Sequence, residues 1–402
     1  MVNRAPLDGV RVVDLSSTFM GPYCTMLLAQ WGADVVKVEP PEGDVVRAIG
    51  DSRGLGPVFL NVNRGKRGIV LDLKADGVAE VLERLVAGAD VVVHNLHPEV
   101  APRLKVTGED VLRTNARAVH RALRGFGRGG PYQYRSAYDD VIQAVGGMAA
   151  LQGKPGGPAE YVRTVAADKT VGLMAAAAVL AALHGRDASG QGQIVEVPML
   201  ETMAGFLLLE QQGGWVFDPP AGPVGYARTE SPHRRPCRIK DGYLAVMIYT
   251  NPQWRAFFEA IGRPELAADP KYRTIRERTE HIDELYTLVN AELETRTTAE
   301  WQAELDARDI PAARVNAVSD LFDDPRLTST GFFEHVDHPV AGPLRLPRPA
   351  VPLGAAPSPV RHAPSLGEHS VEVAAELGFA PAEIERLLGA GVLRDAAVPT
   401  EH

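Results

Sequence analysis

The first half of the chain alternates short apolar segments with segments of helical length. Strands are predicted at 10–15, 33–39, 68–73, 90–94 and 118–123, and helices at 23–31 and 75–86. Strands that are apolar along their whole length need cover on both faces, and connections of about ten to fifteen residues suit βαβ units. The pattern therefore predicts an α/β fold with a doubly wound, Rossmann-like parallel sheet, whose ligands bind at the carboxyl ends of the strands.

The character of the sequence changes after residue 217. A Pro- and Gly-rich segment at 218–225 has the composition of a linker, and a strand at 242–249 and several charged helices follow it. We predict a large Rossmann-like domain over 1–217 and a smaller α+β domain over 226–325. A C-terminal segment over 330–402 is predicted to return to the large domain.

Composition limits the partners of this chain. The 402 residues are 45% hydrophobic and 23% charged, which is typical of a soluble globular protein with room for two domains. A formal charge of −9 leaves no basic stripe for nucleic acid. The N-terminus has no apolar signal core, and no uncharged stretch reaches about 18 residues. We therefore expect a cytoplasmic protein without a nucleic-acid or membrane partner, whose two cysteines, Cys24 and Cys237, form no disulfide framework.

A dinucleotide-binding dehydrogenase is one alternative for such a fold, and the glycine pattern argues against it. The turn after the first strand, Leu15–Pro22, lacks the G-x-G-x-x-G sequence that lets the backbone approach a pyrophosphate. That sequence does occur at Gly125–Gly130, but Pro131 follows it where a helix is required. We interpret this second segment as a flexible loop.

An ordered set of short motifs runs along nearly the whole chain. They are Pro6–Leu15, Gly21–Cys24, Leu28–Pro41, Asn63–Gly68, Leu71–Lys74, Ala89–Asn95, Gly125–Gly127, Ala137–Asp139, Gln143–Gly147, Asp168 with the helix after it, Gly190–Val197, Asp269–Tyr272 and Leu366–Ser370. In this order the motifs resemble the family III CoA-transferases. The resemblance implies an enzyme that moves CoA from an acyl-CoA to a carboxylic acid, with no tightly bound cofactor. It also implies an interlocked homodimer, which long connections near 218–225 and 343–359 would permit.

Asp168 immediately precedes the Ala-rich segment 169–186, which is predicted to form a helix. A carboxylate there can cap the helix, because it accepts hydrogen bonds from amides and suits the positive end of the helix dipole. The family resemblance implies a second role as nucleophile. Asp168 would attack the acyl-CoA carbonyl, CoA thiolate would return to the aspartyl carbonyl, and the acceptor acid would take CoA from that thioester. Backbone amides at the helix start would stabilise the oxyanions.

Four residues match family positions near the CoA nucleotide or its pantetheine arm. Lys74 and Arg103 offer cations to phosphate oxygens, and Asn95 offers an amide to the adenine or ribose. Met199 resembles a position beside the pantetheine arm, although a Met there also suits a core. These roles are implied by the resemblance and do not follow from spacing.

Other polar clusters have simpler interpretations. Arg64, Lys66 and Arg67 form a basic cluster that could meet phosphate, but we interpret each of them as part of a solvated charged turn. The scattered histidines, such as His94 with His97, have no carboxylate or Cys set beside them, so no metal site is predicted. Cys24 has no His in register and is interpreted as a buried structural residue.

Several segments depart from the family pattern. The strand end at Asn95–Glu99 lacks the usual Asn-Phe-x-Pro-Gly type of turn. The glycine-rich loop of formyl-CoA transferases has no counterpart at Ser231–Cys237, and Ser17–Phe19 carries no amide side chain for a small dianion. We therefore expect an acceptor acid other than oxalate, larger and more apolar.

The segment 137–140 bears on the choice between a CoA-transferase and two alternative functions. Tyr138 and Asp139 match family positions that line the active site, where either could orient Asp168 or a substrate carboxylate; otherwise Tyr138 packs and Asp139 caps a helix. The α-methylacyl-CoA racemases share the fold and need two acid/base groups, usually a His and an Asp. Their His lies in the segment where this chain has Tyr138, so transfer is favoured. A non-catalytic CoA-binding protein is the second alternative, against which the intact Asp168 argues.

Overall fold

The computed structural model describes residues 5–50, 55–153, 157–351, 353 and 360–396. The chain divides into two compact units. The first unit comprises 1–148, 161–206 and 329–402, and the second comprises 149–160 and 207–328. The domains predicted from the sequence are 1–217, 226–325 and 330–402. They do not place the short segment 149–160 in the second unit. Within the Pro-rich segment 343–359, residues 352 and 354–359 lie outside the described part of the chain.

Helices and strands follow one another closely along the chain. The first half contains β1 (Arg11–Leu15), α1 (Met20–Gln30), β2 (Asp34–Glu39), α2 (Pro57–Val62), β3 (Arg67–Leu71), α3 (Val78–Ala87), β4 (Val91–His94), α4 (Val100–Arg103), α5 (Gly108–Thr114), β5 (Val119–Arg124), α6 (Asp139–Val145), α7 (Met148–Gln152), α8 (Ala166–Ser189), β6 (Gln193–Pro198) and α9 (Met199–Gln211). The second half contains α10 (Ala227–Glu230), β7 (Cys237–Ile239), β8 (Gly242–Val246), α11 (Asn251–Ala260), α12 (Ile275–Glu280), α13 (Ile282–Leu293), α14 (Thr298–Asp306), β9 (Ala312–Arg314), α15 (Pro325–Ser329), β10 (Phe333–His338), β11 (Gly342–Pro347), α16 (Ser370–Glu376), α17 (Pro381–Gly389) and β12 (Leu393–Arg394). Short 3₁₀ helices lie at Val45–Arg47, Gly213–Val216, Pro264–Ala268 and Val318–Phe322.

The first unit is built on a seven-stranded sheet in the order β12-β3-β2-β1-β4-β5-β6. Strands β1 to β6 pair in parallel, and β12 adds antiparallel to the outer edge of β3. Within this sheet Val12 of β1 pairs with Val35 of β2 and with Val91 of β4. The predicted α/β class with a doubly wound parallel sheet is confirmed.

Alternation along the strands creates one apolar layer on each face of the sheet. Val13 and Leu15 of β1 pack with α3, α16 and α17 on one face. Val12 packs with α1 and α8 on the other face. This alternation follows from the two-residue period of a strand, and burial on both faces explains why the strands read as continuous apolar runs.

Helix α8 is the longest helix of the second layer. Val171, Ala175 and Val179 recur at helical spacing and are fully buried against the sheet. A Cβ on Gly172 would lie 2.9 Å from the Met20 carbonyl oxygen, so only glycine permits this close approach of α8 to α1. By length and composition alone α8 could also cross a membrane. One face of α8 is buried in this layer.

Charged residues are buried under α1, where the sequence indicated a solvated turn. Lys66 is 4% exposed, and its Nζ donates to Asp14 Oδ2 at 3.0 Å and to the Pro22 carbonyl at 2.9 Å. Burial alone raises the pKa of Asp14, but the charges of Lys66 and Lys37 outweigh it and lower the pKa to about 2. The interpretation of the basic cluster as a solvated turn is therefore wrong for Lys66, which contacts Asp14 of β1, and for Arg64, which is 8% exposed.

The second unit has its own aromatic core. Strands β7, β8 and β9 form an antiparallel sheet that packs on Trp254, Phe257 and Phe258 of α11 and on α13 and α14. Three of its helices start at a Thr whose hydroxyl accepts from the backbone three residues on, as in Thr297 and Glu300. Strands β10 and β11 form a separate hairpin in the first unit.

Replacing Lys66 with Met keeps the length of the side chain and removes the charge that faces Asp14. We expect the free energy of unfolding to fall by about 3–5 kcal/mol, because a buried carboxylate loses its hydrogen-bonded cation. Urea denaturation measures this loss. The control is Arg67→Met, whose ion pairs with Asp34 and Glu372 are partly exposed and worth about 1 kcal/mol. Equal, small losses for both variants would show that the Lys66 pair is not a buried contact.

Candidate active site

The sheet changes its winding direction between β1 and β4. The chain leaves β1 for β2 on one side, whereas β4 pairs with β1 on the other side. Ligands of open α/β sheets bind at the carboxyl ends of such strands. There the Asn95 side-chain oxygen accepts from the Ser17 N–H at 3.0 Å, and its NH₂ group donates to the Ser17 carbonyl at 2.9 Å. Asn95 therefore holds the loop that follows β1.

Buried charged side chains also hold the loop after β1 in place. Lys37 Nζ donates to the Ser16 carbonyl and to Asp44 Oδ2, both at 2.9 Å. The Thr18 N–H in turn donates to the Asp44 carboxylate at 3.1 Å. Thr18 has a φ of 74°, a left-handed conformation that a β-branched residue adopts only when surrounding contacts impose it. The loop is thus held in one conformation before any substrate binds.

Asp168 lies at the same edge of the sheet. Helix α8 leads directly into β6, which pairs in parallel with β5, so the first turn of α8 is expected near the carboxyl ends of these strands. The helix begins at Ala166, and Asp168 is its third residue, so the prediction that Asp168 precedes the helix is wrong. The residue before the helix is Val165, which provides no side-chain cap.

The first turn of α8 is capped by a carboxylate from another helix. The Asp168 N–H donates to Asp139 Oδ1 at 2.9 Å. Asp139 is the first residue of α6 and is 5% exposed. The capping role that the sequence assigned to Asp168 therefore belongs to Asp139, and the side chain of Asp168 remains available for chemistry. The structure brings together these two predicted residues, which are 29 positions apart in sequence.

Gln143 is a positioning residue that the sequence analysis missed as a site residue. It lies one turn after Asp139 on α6 and is 1% exposed. Its Nε2 donates to Asp139 Oδ2 at 2.5 Å, and its Oε1 accepts from the Val162 N–H at 2.9 Å. Gln143 thus fixes the carboxylate of Asp139 and the segment that leads into α8. The spacing of four residues was the available signal, because side chains four apart share a helix face.

The electrostatic environment of Asp168 suits a nucleophile. Burial raises the pKa of Asp168 to about 7, and the negative charge of Asp139 adds to the rise. Near neutral pH a substantial fraction of the carboxylate is ionised, and its basicity exceeds that of an ordinary aspartate. A strongly perturbed pKa at the carboxyl edge of an α/β sheet is typical of a functional site.

The remaining predicted site residues lie at different depths. Tyr138 precedes α6 and is 71% exposed, so it does not pack in the core. Met199 begins α9 and is 2% exposed in the layer that contains α1 and α8. Lys74 and Arg103 are exposed after β3 and at the end of α4. Neither cation forms an ion pair within the described ranges.

Metal ligation and thiol chemistry have little basis in the part of the chain that the structure describes. There, no three His, Cys, Asp or Glu side chains come together as a metal site requires. His94 and His120 contact each other through Nε2 at 3.0 Å, and burial lowers the pKa of His94 to about 3, so it is neutral. Cys24 is fully buried, as predicted, and burial raises the pKa of its thiol to about 12, which excludes an activated nucleophile.

Comparison with known proteins places the chain in a family. The sequence model of CoA-transferase family III matches residues 7–370. The chain belongs to CoA-transferase family III. It is 33% identical to the succinyl-CoA:mesaconate CoA-transferase of Haloarcula hispanica over 92% of this chain and 96% of that protein. It is 32% identical to the formyl-CoA:oxalate CoA-transferase of Streptomyces coelicolor over 96% of this chain and 99% of that protein.

A solved structure gives the same result for the fold. The crystal structure of a CAIB/BAIF family protein from Brucella suis matches with a TM-score of 0.77 and 29% identity, over 93% of this chain and 100% of that one. The predicted family resemblance is confirmed. The chain is therefore an enzyme of family III, with CoA thioesters as its substrates.

Asp168→Asn is expected to stabilise the fold above neutral pH. The unfolded chain loses the Asp168 proton near its ordinary pKa of 3.8, whereas the folded chain keeps it until a pKa of about 7. Stability contributed by this proton is therefore present below pH 4 and lost as the pH rises to 7. The variant should gain about 1–2 kcal/mol at pH 8, after allowing for partial solvent contact, and less at pH 5. Thermal unfolding at both pH values measures the difference.

Asp140→Asn is the matched control, because Asp140 is exposed on the same helix as Asp139. It should change the melting temperature little at either pH. If Asp168→Asn gave the same offset at pH 5 and pH 8, Asp168 would ionise as an ordinary aspartate and the proposed environment would be wrong.

Proposed function

We propose that this enzyme transfers CoA from an acyl-CoA donor to a carboxylic acid acceptor through covalent intermediates on Asp168. The observation that carries the proposal is the placement of Asp168. It is a partly buried carboxylate in the first turn of a helix at the carboxyl edge of the sheet, with its backbone held by Asp139. Membership of the CoA-transferase family supplies the reaction class.

The proposed reaction uses Asp168 as a temporary carrier. Its carboxylate attacks the thioester carbonyl of the donor, CoA thiolate leaves, and a mixed anhydride forms. The thiolate then attacks the aspartyl carbonyl, which releases the donor acid and leaves an aspartyl-CoA thioester. The acceptor carboxylate attacks this thioester to give a second anhydride and free thiolate. Attack of the thiolate on the acceptor carbonyl yields the new acyl-CoA and regenerates Asp168.

Each step places negative charge beside the start of α8. The positive end of the helix dipole favours that charge. Asp139 occupies the Asp168 N–H, so this amide does not stabilise the oxyanion while the contact persists. In the proposed mechanism Asp139 and Gln143 hold the nucleophile in place, and Asp139 raises its basicity. Tyr138 has an exposed ring that can contact substrate.

We propose that CoA binds along the carboxyl edge of the sheet. Lys74 and Arg103 are exposed cations suited to phosphate oxygens, and Met199 forms part of the buried layer below the site. Asn95 contributes by holding the loop after β1. If a Lys74→Ala or Arg103→Ala variant bound acyl-CoA as tightly as the native chain, that residue would not belong to the CoA site.

We also propose a homodimer and an acceptor larger than oxalate. Leu173 and Met174 of α8 are each 51% exposed, which is unusual for apolar side chains of a core helix and suits coverage by a second copy. Ser17–Phe19 presents hydroxyl and phenyl groups without an amide for a small dianion. A solution mass of one chain would contradict the dimer, and preferential use of oxalate would contradict the acceptor class.

The test is a transfer assay with a panel of acyl-CoA donors and carboxylic acids, in which the mass of the acyl-CoA product is measured. Asp168→Asn should reduce transfer about a thousandfold or more, because both carbonyl intermediates depend on its carboxylate. In the native chain kcat/KM should rise with pH up to the pKa of Asp168, about 7.

The outcomes separate the alternatives. Asp140→Asn is the control and should retain transfer, because within the described residues no hydrogen bond joins this exposed side chain to Asp168 or Asp139. Solvent deuterium incorporated beside the thioester without transfer would support a racemase. Acyl-CoA binding without turnover in the native chain would support a non-catalytic protein.

A further inference from the structure

We propose that the second unit carries a binding site for a small carboxylic acid with an apolar body. The site is the cavity between the segment Ser231–Cys237 and helix α13, which we name the α13 cavity. It lies within the second unit, so the proposal does not rest on the transfer reaction at Asp168. The segment is also where the chain departs from the glycine-rich loop of formyl-CoA transferases.

The size and floor of the α13 cavity suit a small apolar body. Its volume is about 250 Å³. At about 30 Å³ per water molecule this holds roughly eight waters, or an acid of about eight to ten non-hydrogen atoms. Ile248, Trp254 and Val289 line it, and each is at most 5% exposed. An apolar cavity with a few polar groups is the usual form of a small-molecule site.

The rim of the cavity is held in place before a ligand binds. Ser231 Oγ donates to Asp283 Oδ1 of α13 at 2.5 Å. The side-chain NH₂ of Asn290, also on α13, donates to the His233 carbonyl at 3.0 Å. These two contacts fix the backbone of the segment that carries the basic side chains. A preorganised rim reduces the entropy lost when a ligand binds.

The charge at the rim is positive and uncompensated. Arg234 and Arg235 line the cavity and are exposed. Across the ranges that the structure describes, neither guanidinium has an acidic partner within ion-pair distance. A planar guanidinium pairs with a carboxylate through two parallel hydrogen bonds. The rim therefore favours an anionic head group, and a carboxylate fits its geometry.

Two residues of the cavity wall carry a buried polar atom without a hydrogen-bond partner among the described residues, the Nε1–H of Trp254 and the Oδ1 of Asn290. Neither atom is exposed to the cavity, so a ligand there would contact the apolar wall and not these two atoms.

Phenylacetate is a suitable probe, because it combines a carboxylate with a ring of the right size. Calorimetric titration of the full chain carrying Asp168→Asn excludes turnover, so failure of the proposed function leaves this test intact. Apart from binding at the acceptor site beside Asp168, we expect one further site per chain, which depends on Arg234 and Arg235 and has a Kd below about 1 mM. Phenylacetamide, which has the same shape without the charge, should bind at least about tenfold more weakly.

Variants locate the site. In the same background, the double variant Arg234→Ala/Arg235→Ala should weaken phenylacetate binding about tenfold or more, since both cations are lost. Trp254→Phe keeps an aromatic ring in the cavity wall and should change the Kd by less than about threefold. Arg255→Ala is the control, because Arg255 is an exposed arginine of α11 that does not line the cavity. It should leave the Kd unchanged.

Titration without saturation up to about 10 mM, or unchanged affinity in the arginine double variant, would overturn the proposal. The arginine variant keeps the test valid if Trp254→Phe fails to fold, because both arginines are exposed.

Discussion

The packing of α8 against α1 and the parallel sheet fixes the position of Asp168, and the other features of the site depend on it. Close contact at Gly172 brings the start of α1 beside the second turn of α8. Both helices begin at the carboxyl edge of the sheet, so their contact places the loop after β1 near the start of α8, which carries Asp168. Asp139 then completes the turn from a third helix. Helix packing therefore determines the position of the site more than the sequence of its loops does.

The same region combines stabilising and destabilising electrostatics. Asp14, Lys37, Asp44 and Lys66 are buried, but each faces an opposite charge or a carbonyl, and together they hold the loop after β1. Among the described residues the charge that acts on Asp168 is the like charge of Asp139, and the raised pKa of Asp168 makes its ionised form costly. Functional sites commonly keep such a destabilising group within a rigid surrounding structure. In this enzyme the paired charges supply the rigidity, and in the proposed mechanism Asp168 supplies the reactivity.

Periodicity in the sequence predicted the fold because strand and helix periods are local properties. The predicted strand 33–39 and the observed Asp34–Glu39 differ by one residue. The start of α8 was misplaced by three residues, since its cap comes from Asp139 and not from a neighbouring residue. The burial of Lys66 was missed for the same reason, because its partner Asp14 lies 52 positions away. Family motifs identified Asp168 and Asp139, but only the tertiary structure shows how they meet.

Trapping the covalent intermediate tests the account most directly. The native enzyme is incubated with an acyl-CoA donor without acceptor, digested rapidly and examined by mass spectrometry. The account predicts a CoA thioester on the peptide that contains Asp168, which hydroxylamine removes and which Asp168→Asn lacks. Turnover of acyl-CoA with no adduct at Asp168, or with an adduct on another residue, would contradict the proposed nucleophile.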